Sequence, residues 1–290
     1  MFPSRAQCAK KNLLLCFDAF GTLFQPNIPI PTAYTQAAIK HGVPCSSNRT
    51  SQVIHRTFQK WLEPGQDVPQ GLVDELMRRY STQEGYVMFA DVQPFFQMLR
   101  NKASSKGNAW PWEKTIVGII TNSDDRVPGI LTSFGLEVGP RRVGTLPDQR
   151  PAEAASQDDI SFVVLSYDVG VEKPDRGMFD AAVECLKETL EQRDDGLQVA
   201  SFEKLYIGDS LKHDVVGAQR AGWNALMLDR TAHYKGVFAK EEKDLVRMVM
   251  KPQGTYDYVE VGVLNNLKAL KEWSPPNSTS SSGSDDKSTI

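Results

Sequence analysis

Short, unbroken apolar runs recur along the chain, each ending in a polar or acidic residue. The first is Asn12-Leu-Leu-Leu-Cys-Phe-Asp18, with Gly21 close behind. Lys114-Thr-Ile-Val-Gly-Ile-Ile-Thr121, Ile160-Ser-Phe-Val-Val-Leu-Ser166 and Lys204-Leu-Tyr-Ile-Gly-Asp209 follow the same plan, and Asn224-Ala-Leu-Met-Leu-Asp229 is a weaker fifth. Apolar runs of this length without alternation predict strands buried on both faces. Between them the spacing turns helical, over 126–134, 177–190 and 213–221, with Gly222 as a helix C-cap. Strands that alternate with helices predict an α/β fold with a Rossmann-like parallel sheet.

One stretch interrupts this order. Helical spacing runs through 32–41, 47–62 and 71–80, before a return helix over 91–101. The reading is an all-helical cap inserted after the first strand. The expected division is an N-terminal extension over 1–11, a core built from 12–28 and 105–272, and a cap with its return helix over 29–104. A disordered tail over 273–290 completes it. The segments 102–113, 138–159 and 191–201 read as long polar loops, and the Ser-rich end of the chain as low-complexity.

Composition narrows the function classes. The net charge is -3 over 290 residues with both signs interspersed, which gives no basic footprint for nucleic acid. No apolar run approaches the roughly 20 residues that span a bilayer. Cys8, Cys16, Cys45 and Cys185 form no CxxC pair, so they read as reduced thiols and not as a disulfide framework or zinc site. Cytoplasmic residence follows as the default. The short basic stretch with Arg5, Lys10 and Lys11 is the weaker case for organelle targeting. A monomer or weak homodimer is expected.

Ligands of an open parallel sheet bind at the carboxyl ends of its strands. There the sequence puts Asp18, Thr121 with Asn122, Lys173 shortly after Ser166, and Asp209. Two carboxylates, a hydroxyl, an amide and an ammonium are the inventory of phosphoryl chemistry. Carboxylates hold Mg²⁺, the other groups neutralise the transferring charge, and a carboxylate can itself attack. The blander readings are a turn former at Asp18, a helix cap at Asn122, a solvated loop lysine at Lys173 and a dipole-compensating acid at Asp214. Asp124 and Asp125 read as capping or surface acids, His41, His55, His213 and His233 as surface residues, and Trp110-Pro-Trp112 as packing. Phe58, Trp61 and Leu62 fit the inner face of a cap helix, where core packing and a substrate cavity are both open. Arg126, just past the second motif, is a candidate contact for an anionic substrate.

These residues resemble the haloacid dehalogenase-like hydrolase superfamily. Phe17-Asp-Ala-Phe-Gly-Thr-Leu-Phe24 is similar to its first motif, Thr121-Asn122 to its second, Lys173-Pro174 to its third and Gly208-Asp209-Ser-Leu-Lys-His-Asp214 to its fourth. The motifs stand in the family's order over about residues 12–230, and the helical insertion resembles the branch with a cap between the first two. The resemblance implies Asp18 as nucleophile, Thr121 and Lys173 as phosphate contacts, and Mg²⁺ held by Asp18, the Phe20 backbone carbonyl, Asp209 and Asp214.

The first motif also departs from the family's phosphatases, which carry a second Asp as general acid and base where this chain has Phe20. A phenyl ring neither gives nor takes a proton, so a step worth about 10²–10⁴-fold is missing. The leading expectation is a Mg²⁺-dependent hydrolase of weak or unusual activity on a small phosphorylated metabolite. The alternatives are an impaired binding or regulatory protein and a 2-haloacid dehalogenase, whose first motif has an aromatic residue in that place. The resemblance implies a metal-free site without a leading acid in the fourth motif for such dehalogenases, which Asp209 opposes. A phosphonate hydrolase would need a cap lysine, for which Lys40 and Lys60 are available in surroundings unlike that enzyme's.

Overall fold

The computed structural model describes residues 12–43, 68–101, 110–144, 158–191, 196–241, 243–252 and 258–276. The expected N-terminal extension, the helix over 47–62 with Phe58 and Trp61, and the part of the expected tail over 273–290 that follows 276 lie outside these residues. So do His55, Lys60, Cys8 and Cys45. Trp273, assigned to that tail, is instead buried in the core. The five predicted strands are present as β1 (Asn12–Phe17), β4 (Thr115–Thr121), β6 (Ile160–Leu165), β7 (Phe202–Gly208) and β8 (Asn224–Leu228). They form the centre of an eight-stranded sheet in the order β5-β6-β4-β1-β7-β8-β10-β9. β1 lies in the middle, paired in parallel with β4 on one side and β7 on the other.

The central position explains the unbroken apolar run. Leu13, Leu15 and Phe17 face one layer, packed with Phe95, Phe96 and Ile130, while Leu14 and Cys16 face the other with Phe179 and Leu186. The first layer holds α3 (Val92–Arg100) and α4 (Arg126–Ser133), and the second α5 (Arg176–Glu191). Trp110 and Trp112 are buried as predicted, Trp110 edge-on to Phe95 at 5.8 Å and Trp112 stacked on Trp273 at 5.6 Å. Cys16 and Cys185 are buried and form no disulfide. No helix among the described residues is long and apolar enough to cross a membrane.

Three expectations need correction. Part of the supposed loop over 138–159 is β5 (Val138–Arg142), an edge strand whose Arg141 is buried against Thr189 at 2.6 Å. Its Gly139 and Pro140 read as loop, but an edge strand tolerates proline. The sheet does not end at β8: β10 (Val259–Leu264) pairs with β8 in parallel, and β9 (Leu245–Met250) closes the edge antiparallel. Finally, the insertion is not wholly helical. β2 (Phe24–Pro26) and β3 (Tyr86–Met88) form an antiparallel ribbon where the chain leaves and rejoins the sheet. Strands of three residues carry no readable period.

Within the insertion, α1 (Ile30–Lys40) and α2 (Gln70–Arg79) pack on each other through Ala37, Ala38 and Leu72, which form a small cluster of their own. Glu75 of α2 is buried between them. It accepts hydrogen bonds from Lys40 at 2.7 Å and Arg79 at 3.2 Å, with a His41 ring nitrogen 2.9 Å away. The Lys40 bond first, then that of His41, hold this carboxyl at about 2. A depressed carboxyl contributes stability that is present above its ordinary value of 4.5 and is lost as pH falls toward about 2. Glu75→Gln is therefore expected to cost about 1 kcal/mol at neutral pH, a modest figure because Lys40 is exposed. Thermal denaturation against pH checks this: the gap to wild type closes below 4.5, and a gap independent of pH contradicts it.

Candidate active site

The strand ends converge on one buried ammonium. Lys173, 4% exposed, directs its Nζ to Asp18 Oδ1, Asp214 Oδ1 and the Tyr206 hydroxyl, each at 2.7 Å. Asp18 follows β1, and Thr121, the last residue of β4, also hydrogen-bonds its carboxyl. Burial alone would lower the lysine's pKa, but the charges of Asp18 and Asp214 outweigh it and raise it, so Lys173 stays cationic. Asp18 is pushed up, by burial first, with Lys173 opposing and Asp214 adding to the rise.

Asp209 directly follows β7, and the chain beyond it is underwound, which brings Asp214 back beside it. A π-helical turn over Leu211–Val216 gives a Val215 N–H to Ser210 carbonyl bond of 3.2 Å across five residues. Such turns are rare and recur at functional sites. The Ser210 N–H donates to Asp214 Oδ2 at 2.9 Å. Glycines make the room: a Cβ on Gly208 would stand 2.3 Å from Asp214 Cγ, and one on Gly21 2.2 Å from Asp209 Oδ2. Gly21 has φ +74°, a conformation open mainly to glycine.

Not every predicted residue takes the expected place. Asn122 does not turn its side chain to the carboxylates. Its Oδ1 accepts from the Lys173 backbone N–H at 2.7 Å and its Nδ2 donates to the Lys173 carbonyl at 3.1 Å, so it clamps the lysine loop. Arg126 is bound by Asp124, with Nε–Oδ1 and Nη2–Oδ2 both at 2.8 Å. As an anion contact it would have to leave that partner. It lines a cavity of about 530 Å³ shared with Asn122, Ser123, Ser166 and Tyr167. The Phe20 ring packs edge-on to Phe24 at 4.8 Å and Tyr86 at 5.6 Å. Asp214 is no surface dipole acid: it is 1% exposed.

Two features escaped the sequence reading. Tyr206 lay in plain view inside an apolar run, and a tyrosine in a doubly buried strand has to find a partner for its hydroxyl. Arg230 is the other. It donates to both oxygens of Asp91, at 2.7 and 2.9 Å, and to the Thr22 carbonyl, and it lies over the Phe89 ring at 4.3 Å. It thereby pins the loop after Asp18 to the returning chain, a contact between segments too distant in sequence to be read.

The carboxylates of Asp18, Asp209 and Asp214 place one oxygen each within 4.8 Å of one another. Asp209 is pushed up to about 6, by burial first and then by the charges of the other two. Three acids beside one lysine leave unmatched negative charge, and the donors are all hard oxygens. This set fits a divalent cation such as Mg²⁺. A cavity of about 540 Å³ opens beside Asp209, lined also by Leu211, Arg230, Tyr234 and Met248. A larger cavity of about 790 Å³ lies against Trp223, Leu245 and Trp273, with none of the three carboxylates in its wall.

A family model described as HAD-hydrolase-like matches residues 171–249, which carry Lys173, Asp209 and Asp214. A hydrolase of Schizosaccharomyces pombe, named as uncharacterised, is 26% identical over 265 residues, 83% of this chain and 100% of the relative. An uncharacterised protein of Saccharomyces cerevisiae is 23% identical over 252 residues, covering 77% and 73%. Among solved structures, a HAD phosphatase from Thermococcus onnurineus aligns at 18% identity and a TM-score of 0.49, over 90% of this chain and 96% of that one. The family match thus takes in the third and fourth motif segments, and over most of its length the chain is similar to an uncharacterised hydrolase.

The cradle for Asp209 is testable. Gly21→Ala adds a Cβ where the Asp209 carboxylate lies. Mg²⁺ affinity measured by calorimetry is expected to fall about 10- to 100-fold, as for other residues that orient a ligand. Unchanged affinity would show that Asp209 is not held there for a cation.

Proposed function

We propose that the chain hydrolyses a small phosphorylated metabolite through an aspartyl-phosphate on Asp18. The observation that carries this is the buried Lys173 ammonium shared at 2.7 Å by Asp18 and Asp214, with Asp209 completing a triad of carboxylates. Lys173 and Thr121 hold the Asp18 carboxylate in one orientation. An Asp18 oxygen then attacks phosphorus as the bond to the leaving oxygen breaks, and the leaving oxygen takes its proton from water. Water next attacks the acyl-phosphate, which frees inorganic phosphate and restores the carboxylate. Asp18, Asp209 and Asp214, with the Phe20 carbonyl, would hold Mg²⁺. When bound, the ion offsets charge on the transferring group.

Phe20 sets the expected rate. With its ring against Phe24 and Tyr86, no side chain at this position gives the leaving group a proton or activates water, so turnover is slow. The same packing favours the second reading, a protein that binds a phosphorylated ligand without turning it over. A dehalogenase is less well supported, because Asp209 adds an anion where a carboxylate substrate would need a cation. Two buried cysteines outside any disulfide, Cys16 and Cys185, support residence in the cytoplasm.

A phosphatase screen with Mg²⁺ compares wild type, Asp18→Asn and Phe20→Asp. Wild type is expected to show weak activity that Asp18→Asn abolishes and Phe20→Asp raises by about 10²-fold. Equal rates for wild type and Asp18→Asn on every substrate would sink the enzyme reading.

A further inference from the structure

We infer that Tyr206 is a positioning residue, whose hydroxyl fixes the direction of the Lys173 ammonium. An ammonium has three N–H donors and no acceptor. Two of them go to Asp18 Oδ1 and Asp214 Oδ1, and these alone would let the group swing about the line between the two acids. The third goes to the Tyr206 hydroxyl, also at 2.7 Å. Three acceptors leave one orientation.

The hydroxyl is itself aligned. It has a single proton and two acceptors in reach, the Ile120 carbonyl at 2.6 Å and Asp214 Oδ1 at 3.2 Å. The shorter contact takes the proton, which leaves the phenolic lone pairs to face Lys173. Ile120 stands just before Thr121, whose hydroxyl bonds Asp18, and Asn122 clamps the backbone of Lys173. Tyr206 thus ties β7 to β4 directly beneath the site.

Packing gives no other reason for the hydroxyl. The ring meets Phe179 edge-on at 5.3 Å, a contact that phenylalanine would keep. Tyr206 is 0% exposed and Lys173 4%, so water does not readily replace the lost acceptor. Lys173 holds Asp18 by Oδ1, so the direction of the ammonium sets the direction of the attacking carboxylate. This kinetic consequence rests on the phosphoryl-transfer reading, whereas the orientation of the ammonium does not.

The test uses Tyr206→Phe, with Lys173→Met as the assignment control, in the full chain. Nitrogen-15 NMR of wild type is expected to show a slowly exchanging ammonium signal that Lys173→Met removes. In Tyr206→Phe that signal should exchange at least about tenfold faster, and kcat should fall by about tenfold with KM within about twofold. A folded Tyr206→Phe with unchanged ammonium exchange overturns the inference. Should that variant not fold, wild type still decides, because absence of any slow Lys173 signal also overturns it. Expected NMR changes in a protein that hydrolyses no phosphate ester would uphold the positioning role while removing the hydrolase reading.

Discussion

A lysine ammonium buried at 4% exposure is the constraint on which this structure depends. An ion removed from water costs several kcal/mol unless its partners are close and its donors all used. Lys173 meets that condition with two carboxylates and a phenol, and each partner comes from a different place in the chain. Asp18 ends the central strand, Tyr206 lies within its neighbour, and Asp214 sits on the π-helical turn. Replacing any one would leave a buried charge or donor unmatched. The ammonium therefore couples the register of β1 and β7 to the shape of the loop carrying Lys173.

The other local oddities follow from this cluster. Three acids crowd one cation, so glycines at 21 and 208 stand where any side chain would strike a carboxylate. Asn122 spends its whole amide on the Lys173 backbone, which holds the loop that delivers the ammonium. Arg230 and Asp91 hold the stretch after Asp18 from the opposite side. Asp209 closes the set, its carboxyl pushed up to about 6 by burial first and then by the neighbouring acids. A site with surplus negative charge is costly for the empty chain and favourable for a bound cation.

The core was legible because burial on both faces writes an unbroken apolar run, and the polar residues that end such runs all fall on the carboxyl edge of the sheet. Less was legible where exposure was mixed. Leu245–Met250 alternates buried and exposed positions at the sheet edge, and Val138–Arg142 hides a buried Arg141 within glycine, proline and charge. Asn122 was found, but its direction was not, since one side chain can face a ligand or the next loop. Tyr206 counted as one more apolar strand residue until its hydroxyl was seen on Lys173. Direction and pairing are set by tertiary contacts, which spacing along the chain does not encode.

In the reaction proposed above, Phe20 divides the chemistry of Asp18 into what the site supports and what it lacks. Attack needs a held carboxylate, which Lys173 and Thr121 provide; protonating a poor leaving group and activating water need a proton carrier, which a ring packed on Tyr86 is not. With a reactive ester, whose leaving group needs no proton, the proposed intermediate forms faster than it leaves and accumulates. The direct measurement is intact-protein mass spectrometry after acid quench of the chain mixed with Mg²⁺ and a reactive phosphate ester. The account predicts a phosphoryl adduct that maps to Asp18 and is absent from Asp18→Asn. Its absence from wild type while phosphate is released, or its location on any other residue, would contradict the account.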